Sequence, residues 1–133
     1  MSPAEMIDIV RGADRWEWPG VLDAVAAAPD HHSLVLENDR VRVLVATVQP
    51  GDVVPLHTHR WPGVQYLVGV ADFVRRDGDG NVVVDSRGLD LPKDRPLALW
   101  SEPLPPHTLE NVGDRPIDAI IVELKEQPGA SDA

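Results

Sequence analysis

From residue 33 onward the chain alternates short apolar runs with polar turn sequences. The runs 33–36, 41–48, 53–59, 64–74, 82–84, 97–100, 106–112 and 117–124 are rich in Val, Ile and Leu. Between them stand Glu37-Asn38-Asp39, Pro50-Gly51-Asp52, Asp77-Gly78-Asp79-Gly80-Asn81 and Gly113-Asp114-Arg115-Pro116. These residue types supply positive φ, a fixed φ or side-chain hydrogen bonds to their own backbone, so they mark turns. Eight short strands at this spacing predict an all-β chain, an antiparallel barrel or jelly-roll sandwich. The Asp77–Asn81 turn lacks the full set of oxygen donors and the closing glutamate of a calcium loop, and reads as a simple hairpin.

The first thirty residues have a different pattern. Ser2 is placed to cap a helix, Pro3 to open it and Glu5 to complete the cap, with Met6, Ile9 and Val10 on one stripe and Gly12 as the stop. Val21 to Ala28 predict a second helical turn or two before Pro29. Residues 1–30 are thus expected to form a helical segment packed on the barrel or on a partner subunit, residues 31–127 the barrel and residues 128–133 a flexible tail.

With 133 residues, 43% of them hydrophobic, the chain is long enough for one compact domain with a core. No stretch approaches the roughly 20 apolar residues needed to span a bilayer, and the first residues lack the basic and apolar regions of a signal peptide. A cytoplasmic location and no membrane partner are expected. Cysteine is absent, which removes disulfides, thiolate nucleophiles and thiolate metal ligands. The net charge of −10 repels phosphate backbones, so nucleic acid is not an expected partner.

Side-chain alternation assigns faces. On strand 53–59, His57 and His59 point the same way, and on strand 106–111 His107, Leu109 and Asn111 share a face. If the two strands lie in one barrel, three imidazoles converge on a single ion. In 64–76 the even positions include Asp72 and Arg76, so the odd positions Gln65, Leu67, Gly69, Ala71 and Phe73 should face inward. In 40–48 the arginines at 40 and 42 mark the outer face, leaving Val41, Val43, Val45 and Thr47 inside. His31 and His32 are adjacent and diverge to opposite faces, so both cannot join the site; a solvated or capping role is assigned to them. Trp61 and Trp100 flank the histidine motifs, where they line a substrate mouth or serve as core. Apolar residues on both faces of several strands, such as Tyr66, Val68 and Val70, predict a homodimer.

The stretches Pro50-Gly51, His57-Thr58-His59 and Tyr66-Leu67, together with Pro105-Pro106-His107-Thr108-Leu109-Glu110-Asn111, resemble the two motifs of the cupin superfamily. The first motif runs glycine, five residues, His-x-His, three or four residues, glutamate; the second runs proline, a short turn, histidine, three residues, asparagine. The segments Leu36 to Leu44 and Glu110 to Pro116 also resemble small single-domain bacterial cupins, so the likeness covers about residues 31 to 125. It implies a cupin-type double-stranded β-helix, an RmlC-like jelly-roll barrel with a short N-terminal helical segment. It also implies a divalent transition metal (Fe, Zn, Ni, Mn or Cu) held by His57, His59 and His107, with a small molecule against Trp61, Leu67, Trp100, Leu109 and Asn111.

One departure changes the chemistry. Where the family has its glutamate ligand this chain has Gly63 or Val64, and Gln65 is the donor in reach. Three neutral imidazoles with an amide oxygen favour Zn, Fe, Ni or Cu over Mg or Ca, leave the ion's charge uncompensated and suit an anionic ligand. The resemblance implies an oxygenase-type or other metal-dependent enzyme acting on a small molecule. The alternatives are a non-catalytic small-ligand binding or sensing cupin, and a site whose missing carboxylate marks loss of the metal.

Overall fold

The computed structural model describes residues 14–126. The expected helix over the first twelve residues and the tail 128–133 lie outside them. The described chain opens with two single 3₁₀ turns, Arg15–Glu17 and Gly20–Leu22, and a short α-helix, Ala24–Ala27, capped by the Asp23 carboxylate on the Val25 amide. Nine strands follow: β1 (His32–Glu37), β2 (Val41–Val48), β3 (Val53–His59), β4 (Gly63–Gly69), β5 (Phe73–Asp77), β6 (Val82–Asp85), β7 (Leu97–Ser101), β8 (Leu104–Asn111) and β9 (Ile117–Leu124). They form two antiparallel sheets, one in the order β1-β2-β9-β4-β7 and one in the order β3-β8-β5-β6.

The apolar run 64–74 is two strands, not one. It leaves the first sheet at Gly69 and enters the second at Phe73, with Val70 and Ala71 buried at the crossing. A Cβ at Gly69 would lie 3.1 Å from both the Pro116 carbonyl and the Asp118 carboxylate, so the corner needs a residue without one. The inward set deduced by parity holds through the corner, with Leu67, Ala71 and Phe73 buried while Tyr66 and Val68 are exposed.

The faces of β2 are the reverse of those expected from its arginines. Arg42, Leu44, Ala46 and Val48 point inward, and Val45 is exposed. Arg42 tolerates burial because two carboxylates meet it: Asp23 through Nη1 and Nη2 at 2.9 and 2.7 Å, and Glu123 through Nε at 2.7 Å. A charge marks the solvent side only when nothing inside neutralises it.

The core lies between the sheets, built from Leu44, Ala46 and Val48 of β2, Val54 of β3, Leu67 of β4, Phe73 of β5 and Ile117, Ala119 and Ile121 of β9. Ala24 and Ala28 of the helical turn join it. That turn covers β3 from outside, where Asp23 bridges Thr58 and leaves Thr58 buried. The turn Asp77–Asn81 is a β5–β6 hairpin whose Asp77 carboxylate accepts from the amides of Asp79 and Asn81, with Gly80 at φ +88°.

Candidate metal centre

Strand β3 sets the site through an irregularity. Its pairing with β8 shifts between Val54 and His57, so Val54 and both histidines reach the interior although they differ in parity. Pro55, exposed at the bulge, turns its carbonyl to the Nδ1 of His57 at 2.7 Å. On β8, His107 lies directly across from His57 and repeats the arrangement, with Nδ1 2.7 Å from the Pro105 carbonyl. The ring centroids of His57 and His107 are 4.2 Å apart, those of His57 and His59 5.1 Å and those of His59 and His107 5.8 Å.

A fourth ring completes the cluster. His32 pairs with Ala46, which faces the cavity, and its ring stands 4.9 Å from His57 and 5.5 Å from His59. It is buried, not solvated. Single ring nitrogens of His32, His57 and His59 all lie within 4.8 Å of one another. His31 turns the other way, toward Asp52 at 3.5 Å, so the adjacent pair does diverge to opposite faces.

All four rings are wired alike. The Nδ1 of His32 meets the Ala28 carbonyl at 3.1 Å, and that of His59 meets the Glu123 carboxylate at 2.7 Å. A carbonyl or carboxylate oxygen only accepts, so each Nδ1 carries a proton, and on a neutral ring Nε2 keeps its lone pair. This is the tautomer a metal requires, with the outer oxygens orienting the rings. Burial, reinforced by the neighbouring His59, drives His32 down to about 4 and His107 down to about 3. Burial followed by the neighbouring His107 and His59 lowers His57. These groups are neutral imidazoles at neutral pH, and as a nitrogen donor set they fit a divalent transition metal.

Glu123 accounts for the carboxylate missing after the His-x-His motif. Gly63 pairs with Glu123 across β4 and β9, and a Cβ at Gly63 would run into the Val122 carbonyl, so no side chain fits there. Glu123, 1% exposed, comes from the facing strand and is divided between the His59 ring and Arg42. Burial alone would raise its carboxyl, but the hydrogen bond and charge of His59 and those of Arg42 outweigh that and hold it low. Asp23 is likewise held low by Arg42 against the opposing effect of burial. The carboxylate therefore stands behind an imidazole, bonded to its Nδ1, and not among the clustered ring nitrogens.

The histidines line one end of a cavity of about 80 Å³ between the sheets, with room for roughly half a dozen water-sized groups. Gln65, Leu67 and Leu109 also line it, among apolar side chains, and no acidic residue does. A groove of about 280 Å³ adjoins it, sharing Gln65, Phe73, Arg75, Leu99 and Leu104. The other expected pocket residues sit elsewhere. Asn111 is spent on backbone, donating to the carbonyls of Val48 and Arg115 and accepting from the Gly113 amide, which clamps the β8–β9 turn. Trp61 lines a smaller pocket with His59, Gln65 and Glu123, 5.3 Å from the Arg42 guanidinium and donating to the Glu126 carbonyl. Trp100, 59% exposed, flanks the outer groove.

His32, Glu123 and Arg75 carry no assignment to the site from sequence. His32 was signalled by the adjacent pair itself, since one of two neighbours on a strand must face in. Glu123 and Arg75 had no local signal, because their surroundings are set by distant strands.

No family model and no curated protein matches the chain. Solved structures do. A cupin domain protein from Bordetella pertussis Tohama I superimposes with a TM-score of 0.58 at 19% identity, over 71% of this chain and 92% of that one. An RmlC-like cupin family protein with a double-stranded β-helix fold from Methanocaldococcus jannaschii superimposes with a TM-score of 0.52 at 8% identity, over 70% and 77%. These likenesses show the fold: this chain is a cupin-type double-stranded β-helix.

Proposed function

We propose that this cupin-fold chain is a metal-dependent protein, an enzyme of oxygenase or related type, acting on a small molecule in the inter-sheet cavity. His32, His57 and His59 hold a divalent transition metal, Fe, Zn, Ni, Mn or Cu, with His107 beside them and Gln65 at the edge. The observation that carries this reading is the common wiring of the four rings, each with Nδ1 hydrogen-bonded to an oxygen. Four buried imidazoles, three of them held neutral, gathered without a metal to share would be an expensive way to fill a core.

A metal held there supplies Lewis-acid or redox chemistry at its open positions. The protein's own residues do the remainder. Glu123 fixes the proton of His59 on Nδ1, the contacts with His59 and Arg42 keep that carboxylate ionised, and the apolar walls limit water at the histidine end. We further propose a homodimer through the outer face of the five-stranded sheet. There Val45, Ile120 and Tyr66 form one exposed apolar row across β2, β9 and β4.

Metal analysis of untagged protein, grown in metal-supplemented medium, tests the site. About one transition ion per chain, lost in His57→Ala, is the expected result. Protein that carries no ion and takes up none on titration would overturn the reading in favour of a metal-free ligand-binding cupin.

A further inference from the structure

We propose that Arg75 is the anchor for the carboxylate of the molecule this cavity takes, so that the site selects small organic acids. Two arginines face the interior, and the structure treats them in opposite ways. Arg42 is enclosed by Asp23 and Glu123. Arg75, on β5 opposite Leu109 and one same-face step from His107, lines both the cavity and the outer groove. Its Nε is buried with no hydrogen-bond partner among the described residues, and its guanidinium lies 6.0 Å from the Phe73 ring centroid. Desolvation alone acts on its ionisation, with no acidic group to offset it.

A guanidinium on a half-buried side chain whose buried Nε lacks an acceptor is costly to the fold, and an anion arriving at the cavity removes that cost. The surrounding charge leads to the same ligand. Among the described residues the lining holds histidines, one cationic arginine and no carboxylate, and a divalent ion would add further positive charge. The planar fork of arginine matches a carboxylate in two parallel hydrogen bonds. The volume of about 80 Å³ and the apolar neighbours Phe73, Leu99, Leu104 and Leu109 suit a short organic acid better than a heavily hydrated phosphate. Orientation of the acid's other end toward the histidines rests on the metal reading above; the anion subsite itself does not.

Calorimetry with acetate, glycolate and oxalate, each against its neutral amide, tests the assignment on metal-loaded protein and on protein stripped with chelator. The acids are expected to bind and the amides not. Arg75→Gln should weaken acid binding by about tenfold or more, the range of a charge-assisted hydrogen-bonded pair. Arg75→Lys, which keeps the charge without the fork, should fall between the two. Metal content should be unchanged in both variants. The Arg75→Gln unfolding midpoint should hold or rise, since the guanidinium has no partner to lose. Equal binding of the amides, undiminished acid binding in Arg75→Gln, preference for inorganic phosphate, or a lowered midpoint would each overturn the assignment. Arg75-dependent acid binding in a wild-type protein that takes up no metal would overturn the metal reading and leave this one standing. Full metal uptake with no acid binding would do the reverse.

Discussion

At His57 and His107 the ring Nδ1 donates back to the carbonyl of the proline two residues earlier. His59 uses Glu123 instead, and the difference matters because a carboxylate strengthens the basicity of the ring it holds more than a carbonyl does. Glu123→Gln keeps an acceptor near His59 but removes the charge. It is expected to lower zinc affinity by about tenfold, read by competition with a chromogenic chelator. Unchanged affinity would separate Glu123 from the metal site. His57, His59 and His107 could be placed on inward faces from alternation and motif spacing. His31 and His32 cannot both face in, but one of them must, and alternation alone does not say which. Glu123 was invisible because its partner Arg42 lies 81 residues away in sequence, and nothing near either residue announces the pair.

Strands β2, β3 and β9 have the bounds read from the apolar runs, because each run ends in residues that the turn itself requires. Facing was less legible. Parity works along β4 and across the corner to Phe73, but it fails on β2, where a neutralised arginine faces the core, and inside β3, where the bulge at Pro55 changes phase. Both failures come from partners on other strands. The β4–β9 contact offers a test at this scale. Gly63→Ala would drive a methyl group into the Val122 backbone, and backbone cannot move aside as a side chain would. Destabilisation of about 3 kcal/mol or more is expected in urea unfolding, with a matching loss of metal uptake as Glu123 is displaced. A variant of native stability would contradict the close approach of the two strands.

For the whole molecule, the buried histidines couple stability to pH. In the unfolded chain a histidine takes a proton near 6.5, whereas folded His32 does so only near 4 and folded His107 near 3. Between these values the unfolded state binds more protons, so stability falls as pH falls. The metal-free protein should therefore lose on the order of a few kcal/mol between pH 7 and pH 4, measured by urea midpoints. Asp23 and Glu123, held low, add losses only once carboxylates begin to protonate, so an early decline belongs to the histidines. A flat profile from pH 7 to pH 5 would contradict their burial as neutral rings. The exposed row of Val45, Ile120 and Tyr66 should make Ile120→Lys monomeric by light scattering if the wild type is a dimer through that face. No described helix is long and apolar enough to cross a membrane.

The account depends most on four rings that each keep a proton on Nδ1, three of which, His32, His57 and His59, turn a ring nitrogen to a shared centre. Long-range ¹H–¹⁵N NMR of the histidine side chains at neutral pH reads this directly. The result predicted is neutral Nδ1–H tautomers for His32, His57 and His107 and a proton on Nδ1 of His59, with the Nε2 signals of His32, His57 and His59 shifting together on one equivalent of zinc. Rings protonated on Nε2, or spectra that zinc leaves unchanged, would contradict it.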